Sequence, residues 1–516
     1  MADLAILPKG VNKEAFLAAV ERYRAIVGHA NVIVDPDRLQ PYERMMIPGE
    51  RNRFRPAGAI LVSSVEQVQQ VLAVCNQTGI PVWPISTGGN LGYGERQPAV
   101  GGQMVLDLGR MNRIIEVDPV LCTALVEPGV TYHQLYEYLN SRGIPLWLSV
   151  PGPGPLVGPM GQALERGQGY TAIAEQFESI CGMEVVLADG TLLRTGMGGV
   201  QGTKAWQAFK YGYGPHSDGI FTQSNFGVVT KLGLWLTPRP EKIKIFAASF
   251  NDFGDIGKAV DAARELKLAK TVEGPILCGI PVSQLQMANG RRDKVKTDPA
   301  PITREWLNTY LDEQGMPKVG AFGSVTGSQG EVDAKYAEVK RVFAKHGGQV
   351  VDELFLQISP MFGHMVDSMT GVPDLQEMNM LNWVGGGGNI WCGMICPARG
   401  DEVVGQVDLG WEIMLKHGFD YNGGFFHNGR SVIHAMSILF DKNDPAQDTR
   451  ALACFDEIVT RFAAKGYAQY RTNIAFMDKT ADHFGSAQRA FNAKLKTALD
   501  PQAVIAPGKS GIFPIF

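Results

Sequence analysis

The stretch between Pro81 and Gly94 constrains the fold of this chain more than any other. It runs from an apolar, extended opening at 81–85 into Ser-Thr-Gly-Gly-Asn-Leu-Gly-Tyr-Gly at 86–94. Glycine adopts positive φ angles and carries no Cβ, so such a loop can present successive backbone N–H groups to an anion. The stretch therefore predicts a phosphate-binding loop that follows a strand, although an ordinary glycine-rich turn has the same composition.

The residues upstream favour the phosphate-loop interpretation. The segment 64–76 has apolar residues at helical spacing behind Ser64, a good helix N-cap, and the apolar strand 59–62 precedes it. The predicted order is strand, helix, short strand and loop. No stretch matches Gly-x-Gly-x-x-Gly after a first strand, so a dinucleotide-binding Rossmann domain is not expected.

The composition is that of a globular protein with more than one domain. The chain has 516 residues, 45% of them hydrophobic and 19% charged, which predicts two or three domains with a sizeable core. The net charge of −4 gives no reason to expect nucleic acid or an anionic membrane as a partner. Two long uncharged runs, 143–164 and 378–398, are interrupted by prolines and glycines, so we expect neither to span a membrane.

The seven cysteines are scattered and odd in number, which favours reduced thiols over a disulfide framework. Only Cys392 and Cys396 are close in sequence, and no second Cys/His pair stands near them. A metal site is therefore not expected. The first ten residues lack the basic segment of a leader peptide, so the cytoplasm is the expected location.

A first domain is predicted over residues 1–240. Within it, 182–193 has the alternation of a hairpin with Asp-Gly at the turn. The Gly/Pro-rich segment 151–161 is predicted to be a long loop, without a regular element, that lies against a ligand or another backbone. The Pro-Arg-Pro sequence at 238–240 marks the end of this domain.

A second domain of different character is predicted over residues 241–465, where strands alternate with amphipathic helices. The segments 421–427 and 430–440 predict a hairpin, and 349–356 predicts a further strand. This pattern indicates an α+β cap, an antiparallel sheet with helices on one face. Residues 466–516 are expected to return to the first domain.

Several separated motifs, in the same order along nearly the whole chain, resemble the vanillyl-alcohol oxidase / p-cresol methylhydroxylase flavoproteins. The resemblance is strongest at 86–94, 127–132, 195–198, 211–215, 221–231, 470–472 and 506–511. It implies an α+β protein with a two-part FAD-binding domain of the p-cresol methylhydroxylase type and an antiparallel-sheet cap that binds substrate. It also implies FAD-dependent oxidation of para-substituted phenols.

FAD needs backbone amides around its pyrophosphate and a dry groove for its flat ring system. By resemblance, the residues expected to supply them are Pro84, Ser86, Thr87, Gly88, Gly89, Asn90, Leu91, Gly92, Pro128, Gly158, Gly161, Gly169, Asn225, Gly227, Val228, Val229 and Lys509.

The resemblance assigns Tyr93, Tyr470 and Arg471 to the binding of a phenol oxygen as phenolate. A phenol has a pKa near 10, and its ionisation makes the para-benzylic hydride a far better leaving group. A guanidinium and two O–H donors supply charge-assisted hydrogen bonds to the phenolate. Two structural tyrosines and a surface arginine are the alternative interpretation.

This sequence departs from the family where many members attach the flavin covalently. The histidine of the oxidases falls at Asn389, the other histidine attachment point is Asn90, and no tyrosine occurs between 337 and 419. We therefore expect FAD to be bound noncovalently.

The acid–base residues of the family are also absent. The aspartate of the oxidases aligns at about Gly152, and the cap glutamate and histidine of the hydroxylases align near Gly424 and Ile433. His434 and His427 are the remaining candidates for activating water, since an imidazole titrates near neutral pH. A histidine in a strand is more often structural.

Three of the departures remove bulk: aspartate to glycine at about 152, glutamate to glycine near 424, and the loss of a family tyrosine in the Ala172–Ile173 region. The expected substrate is therefore a bulky para-alkyl phenol, an alkylguaiacol or a lignan, hydroxylated through a quinone methide and water.

The segments 383–388 and 397–400 resemble the hydroxylase branch, so a c-type cytochrome is the expected electron acceptor. Such a partner would indicate the periplasm, and by analogy a homodimeric core is expected. Three alternatives remain open: an oxygen-dependent oxidase of the vanillyl-alcohol type, a 2-hydroxy-acid dehydrogenase of the same fold, and a flavin-binding subunit without turnover.

Overall fold

The computed structural model describes residues 6–49, 51–351 and 362–515. The first helix, Lys13–Val27, begins where the Asn12 side chain accepts a hydrogen bond from the Ala15 N–H at 2.8 Å. Its buried face packs on the helix Val65–Thr78. Among the described residues, no helix is long and apolar enough to cross a membrane.

The predicted strand–helix–strand–loop order is present at the N-terminal end. The helix Val65–Thr78 begins after Ser64, whose hydroxyl accepts a hydrogen bond from the Gln67 N–H at 3.3 Å. A small sheet lies beside it with the strand order Val32–Ile33, Gly58–Leu61, Met104–Asp107 and Val82–Ile85, in which the last three are parallel. The strand Val82–Ile85 leads directly into the glycine-rich loop.

A five-stranded antiparallel sheet completes this part of the chain. Its strands, in spatial order, are Ile114–Asp118, Thr123–Val126, Val228–Trp235, Ile180–Val186 and Leu192–Arg194. The last two form the hairpin predicted for 182–193. The helix Tyr132–Ser141 follows the second strand.

The prediction for 151–161 is corrected. This segment contains a 3₁₀ turn, Gly154–Leu156, and the start of a short helix, Pro159–Leu164. Proline is well accommodated at the first turn of a helix, because its missing N–H would have no intrahelical partner there.

In the described residues, the cap is an antiparallel sheet of eight strands. Its strands, in spatial order, are Gln349–Val350, Lys242–Phe250, Val319–Gly327, Ile276–Gly279, Gly423–His427, Ser431–Phe440, Gly388–Pro397 and Gln469–Arg471. The predicted hairpin pairs Phe425 with His434. Of the predicted strand 349–356, residues 352–356 lie outside the described residues.

Helices cover one face of this sheet and enclose the main apolar core. They are Ile256–Leu268, Gln329–Lys345, Gly400–Lys416 and Pro445–Ala464. The α+β class predicted from the sequence is thereby confirmed. Other cap helices are Val282–Asn289, Arg304–Glu313 and Phe362–Thr370.

The opposite face of the cap sheet turns towards the first domain. Here Tyr170, Met365 and Met369 form a small apolar cluster against side chains of the sheet, Ile245, Leu277, Phe322 and Phe426. A cavity remains between this cluster and the sheet.

The C-terminal segment has two roles. The strand Gln469–Arg471 is the last strand of the cap sheet, paired with Gly388–Pro397, so the return to the first domain begins after Arg471. The helix Ser486–Leu499 follows, and Ile505 then forms a parallel bridge with Val82. The residue limits 240 and 465 stay predictions.

Candidate functional site

A groove of about 180 Å³ runs along the glycine-rich loop. Fourteen of the seventeen residues predicted to bind FAD line it: Pro84, Ser86, Thr87, Gly88, Gly89, Asn90, Pro128, Gly158, Gly161, Asn225, Gly227, Val228, Val229 and Lys509. Leu91, Gly92 and Gly169 are not among the residues that line it. Gly169 instead bonds through its N–H to the Ala174 carbonyl at 2.8 Å.

The loop leaves its backbone donors available to a ligand. Within the described part of the chain, no N–H group of residues 87–90 donates to a protein acceptor. Gly88 has a φ of +71°, which turns the chain there. A Cβ on Gly161 would lie 2.5 Å from the Ser86 hydroxyl oxygen, so glycine permits this close contact. Such free donors suit the pyrophosphate of FAD.

Asn225 provides a further test of whether the groove suits FAD. It is 1% exposed, and its side-chain amide donates to the carbonyls of Ala506 at 2.9 Å and Ile512 at 3.1 Å. Its Oδ1 atom has no hydrogen-bond partner among the described residues, although it is buried at the groove. A ligand with an N–H or O–H group would satisfy it, and FAD carries such groups.

Charged side chains stand at the cap end of the groove. Glu165 lies between Lys509, to which it is hydrogen-bonded, and Arg471, whose Nε is 3.6 Å from the carboxylate. Burial alone would raise the pKa of Glu165, but the two cations outweigh it and lower that pKa. The groove therefore holds a net positive charge near its rim.

The three residues predicted to bind a phenolate, Tyr93, Tyr470 and Arg471, lie close together. The Arg471 guanidinium lies 4.1 Å from the centroid of the Tyr93 ring and hydrogen-bonds to the Asn90 side chain. Its side chain is only 11% exposed. The Tyr93 and Tyr470 side chains are close enough to influence each other's ionisation.

Burial is the main cause that raises the pKa of both tyrosines, and Arg471 opposes it. Both hydroxyls are therefore protonated at neutral pH and can donate hydrogen bonds, while Arg471 supplies the positive charge. This arrangement suits an aryl oxyanion.

A separate cavity of about 120 Å³ lies against the cap sheet. We call it the cap cavity. Its lining includes Tyr170, Gly279, Glu377, Trp391, Asn422, Gly424, Phe426 and Ala435. Trp391 also lies against the glycine-rich loop, because a Cβ on Gly92 would be 2.7 Å from its ring. The cap cavity thus adjoins the cluster of Tyr93, Tyr470 and Arg471.

Three positions were expected to have lost bulk: Gly152, the Ala172–Ile173 region and Gly424. At the first two, other side chains fill the space. A Cβ on Gly152 would lie 1.8 Å from the Glu377 carboxylate, so Glu377 occupies the space that a side chain at 152 would need. Near Ala172–Ile173, Tyr170 supplies an aromatic ring and is 5% exposed. Only Gly424 both lines the cavity and lacks a replacement.

Glu377 belongs to a group of polar residues that the sequence interpretation missed. The Tyr170 hydroxyl donates to Glu377 at 2.9 Å, and His364 Nε2 lies 3.7 Å from the same carboxylate. His364 Nδ1 is 2.9 Å from Asp374. Burial would lower the pKa of His364, but hydrogen bonds to Asp374 and Glu377 raise it to about 9. An imidazolium therefore stands between two carboxylates at neutral pH.

The sequence did carry a weak signal for this group. Asp374 and Glu377 follow the proline at 373 and precede the long uncharged run, so they are the last acidic residues before it. Nothing in their spacing places them beside His364 or Tyr170.

The predictions for His434 and His427 are wrong. Both side chains are fully buried on the helix-covered face, since Phe425 and His434 are paired while their neighbours Gly424 and Ala435 face the cavity. His434 bonds to the Tyr421 hydroxyl at 2.8 Å and to Gln406 at 3.1 Å.

His427 accepts a hydrogen bond from the Gly429 N–H at 3.1 Å. Burial lowers the pKa of each imidazole to about 3, so both histidines are neutral core residues. Neither is among the residues that line the cap cavity.

The residues at the family's covalent attachment points are held by protein contacts. Asn389 is 1% exposed and accepts a hydrogen bond from the Ser437 hydroxyl at 2.6 Å, while Asn90 bonds to Arg471. The described lining of the groove contains no cysteine, histidine or tyrosine.

Comparison with known proteins agrees with this geometry. The family described as "FAD binding domain" matches residues 56–196, and the family described as "FAD linked oxidases, C-terminal domain" matches residues 404–510. The chain is 41% identical over 98% of its length to the 4-cresol dehydrogenase [hydroxylating] flavoprotein subunit of Pseudomonas putida, and the match covers 98% of that protein.

Solved structures are similar over the same extent. The crystal structure of p-cresol methylhydroxylase with substrate bound superposes with a TM-score of 0.96 at 41% identity and covers 98% of this chain and 99% of that one. The isoeugenol complex of 4-ethylphenol oxidase from Gulosibacter chungangensis gives a TM-score of 0.95 at 30% identity, with 99% of each chain covered.

The fold and the groove thus define an FAD-dependent oxidoreductase with a substrate cap. The chain belongs to the vanillyl-alcohol oxidase / p-cresol methylhydroxylase family of flavoproteins. The predictions of this family, of FAD and of an enzyme are confirmed, and membership sets aside a flavin-binding subunit without turnover.

Proposed function

We propose that this protein oxidises para-alkyl phenols, bound as phenolates, at the carbon next to the ring. The observation that carries the proposal is the buried cluster in which Arg471 lies over Tyr93 beside Tyr470, at the junction of the FAD groove and the cap cavity. The names of the relatives, 4-cresol dehydrogenase and 4-ethylphenol oxidase, support the same substrate class.

Arg471 and the two tyrosines act first, by ionising the substrate. Their charge and hydrogen bonds lower the pKa of a bound phenol from its usual value near 10. The phenolate then releases a hydride from its para-benzylic carbon and becomes a neutral p-quinone methide. FAD, when bound in the groove, supplies the two-electron acceptor for that hydride.

Glu377 acts next, as the base that activates water. Its carboxylate lines the cap cavity, and His364 keeps a positive charge beside it. The water oxygen bonds to the benzylic carbon, one water proton goes to Glu377, and the quinone methide returns to a phenolate ring. The product is a benzylic alcohol. Loss of a proton from the neighbouring carbon would instead give an alkene.

The test is an anaerobic titration of the purified protein with p-cresol and larger para-alkyl phenols, in which the flavin absorbance is recorded after each addition. We expect bleaching and the release of a hydroxylated or unsaturated product. A flavin that no para-alkyl phenol bleaches would contradict the proposal. Bleaching by lactate or glycolate but not by phenols would favour the 2-hydroxy-acid alternative.

The substrate side chain is proposed to be bulky, as in an alkylguaiacol or a lignan. This part of the proposal depends on Gly424, since Glu377 and Tyr170 refill the other two positions. Turnover of p-cresol together with failure to bind any larger phenol would contradict it.

FAD is proposed to be held noncovalently. Asn389 and Asn90 stand at the attachment points and neither is a nucleophile, which supports this. Acid precipitation should release the yellow flavin into the supernatant. Flavin that stays with the pellet would show a covalent link.

The proposed electron acceptor is a c-type cytochrome. The name of the Pseudomonas putida relative, a dehydrogenase and a flavoprotein subunit, supports a separate acceptor. The second candidate is molecular oxygen, which the similarity to a 4-ethylphenol oxidase favours. Mixing the substrate-reduced protein with cytochrome c or with oxygen decides between them by the rate at which the flavin reoxidises.

A further inference from the structure

A line of very small residues crosses the cap sheet on its cavity face. In adjacent strands, Gly320 pairs with Gly279, Gly279 with Gly424, Gly424 with Ala435, and Ala435 with Gly393. We call these five residues the small-residue row. Its three middle members, Gly279, Gly424 and Ala435, line the cap cavity. The row ends at Gly393, beside the strand that carries Tyr470 and Arg471.

Glycine occurs at these positions of the row for different physical reasons. A Cβ on Gly393 would lie 2.5 Å from the Tyr470 ring, so glycine is required there to seat the tyrosine. A Cβ on Gly279 or Gly424 would meet only backbone atoms, the nearest at 3.6 Å. Neither of these two has a positive φ. The backbone around both positions therefore has room for a Cβ, and glycine there leaves space in the cavity that a ligand can fill.

Asn422 provides an independent observation at the same place. It lies two residues before Gly424, on the cavity side, and lines the cap cavity. It is 4% exposed, and its Nδ2 atom has no hydrogen-bond partner among the described residues. Burial of an unpaired amide is unfavourable, so this atom indicates a missing partner with an acceptor.

Most of the remaining surface of the cavity is apolar. Phe322, Phe426, Leu277 and Met287 line it with Trp391, while Glu377 and Tyr170 stand on the side of the first domain and bond to each other. An apolar substituent would fill the space over Gly279 and Gly424. A hydrogen-bond acceptor on that substituent would accept a hydrogen bond from Asn422 Nδ2.

We propose that the cap cavity binds a para substituent longer than methyl that carries an ether, hydroxyl or carbonyl oxygen, and that Asn422 recognises this oxygen. This inference rests on the proposed oxidation of para-alkyl phenols. It adds that the substrate class is an oxygenated para-alkyl phenol, with Gly279 and Gly424 providing space and Asn422 the specificity.

The experiment uses the FAD-loaded protein and three substrates. They are p-cresol, para-pentylphenol and para-(3-methoxypropyl)phenol; the last two have side chains of equal length and differ by one oxygen. The rate of anaerobic flavin reduction is measured against substrate concentration. The wild-type protein should prefer the methoxypropyl compound to the pentyl compound by about tenfold or more in kcat/KM, since the amide is otherwise unpaired.

Two variants separate the parts of the proposal. Asn422→Leu should abolish the preference for oxygen while para-pentylphenol and p-cresol keep their rates. Gly424→Val should lower kcat/KM for both long substrates by about tenfold or more and leave p-cresol within about threefold. Ser249→Val, in the far strand Lys242–Phe250 of the same sheet, is the matched control and should change none of the three.

The outcomes are distinct. Equal use of the pentyl and methoxypropyl compounds by the wild type, or an oxygen preference that survives in Asn422→Leu, would overturn the role of Asn422. Equal loss on p-cresol and the long substrates in Gly424→Val would overturn the placement of the substituent. If Gly424→Val does not fold, Gly279→Ala tests the same space. Failure of the wild type to oxidise any of the three would instead contradict the proposed function itself.

Discussion

Arg471 carries more of the proposed chemistry than any other side chain. It lies over Tyr93, bonds to Asn90 in the glycine-rich loop and faces Glu165 across the groove. It thus connects the cap sheet, which carries it, with the loop predicted to hold FAD. The resemblance could predict its role because the motif around it, Tyr470-Arg471-Thr472, is contiguous in sequence.

Substitution of Arg471 by methionine should remove the positive charge that ionises the substrate. We expect kcat/KM for para-alkyl phenols to fall by about 10- to 100-fold, because charge-assisted hydrogen bonds contribute about 1.5–3 kcal/mol. Anaerobic flavin reduction measures this, and the variant should need a higher pH to reach its maximum rate. Arg461→Met, at an ion pair on the helix layer, is the control. A wild-type rate in Arg471→Met would contradict the phenolate mechanism.

The pair His364–Glu377 predicts a separable effect on the water step. Glu377→Gln should slow the enzyme-catalysed addition of water by about 100-fold, and His364→Gln by about tenfold, while hydride transfer continues. With para-ethylphenol, quinone methide that escapes should hydrate in solution to a racemic alcohol. Chiral chromatography of the product measures this. His417→Gln, an equivalent imidazole paired with Glu457, should keep the enantiomeric ratio of the wild type.

His364 also makes a signed prediction about stability. Its pKa is raised from 6.5 to about 9, so the folded state binds a proton more tightly than the unfolded state. The resulting stabilisation is fully present below pH 6.5 and is lost as the pH rises through about 9. The difference in free energy of unfolding between wild type and His364→Gln should shrink over that interval. A difference that grows with pH would contradict the imidazolium assignment.

At the scale of elements, local signals in the sequence predicted structure well. Ser64 caps its helix, the Asp189-Gly190 turn closes its hairpin, and the strand–helix–strand–loop order is present. Segment 151–161 was misjudged because proline excludes a helix interior but not a first turn. His434 and His427 were misassigned because one residue of register decides which face of a sheet a side chain occupies.

The buried interactions of Lys496, which connect the C-terminal segment with the first domain, are expected to contribute strongly to stability. Lys496, on the helix Ser486–Leu499, is 0% exposed and donates to Asp500 at 2.6 Å and to the carbonyls of Asn225 and Ile505, each at 2.7 Å. It joins the C-terminal segment to the wall of the FAD groove. The ion pair with Asp500 is entirely buried.

Lys496→Met should destabilise the protein by about 3–5 kcal/mol, because it leaves the Asp500 carboxylate buried without its partner. Denaturant unfolding measures this, and the variant should also lose FAD more readily. Lys494→Met, an exposed lysine on the same helix, should change stability by less than about 0.5 kcal/mol. Equal stabilities for the two variants would contradict the role given to Lys496.

At the scale of the whole molecule, the FAD groove is built from remote parts of the chain. Residues 83–90, 225–229 and 505–509 supply its walls, and Arg471 reaches it from the cap sheet. A ligand in this groove therefore contacts both domains. Binding should stabilise the native state as a unit.

Added FAD should accordingly raise the melting temperature of protein that has been stripped of flavin. The expected stabilisation is about 2.7 kcal/mol at a free FAD concentration of roughly 100 times Kd. Scanning calorimetry with increasing FAD measures the shift, with riboflavin as a control that lacks the pyrophosphate. Flavin that stays attached to the chain after denaturation would contradict noncovalent binding.

The sequence by itself determined the local chemistry of this protein: the glycine-rich loop, the helix caps and turns, and the contiguous motif that carries Tyr470 and Arg471. These depend on neighbours within a few residues, which a linear pattern records. Only the tertiary structure decided that Glu377 occupies the space beside Gly152, that His364 holds a charge next to it, and that Gly279, Gly424 and Asn422 share one cavity. These residues meet through strand register and the packing of the cap on the first domain, and sequence spacing contains no measure of either.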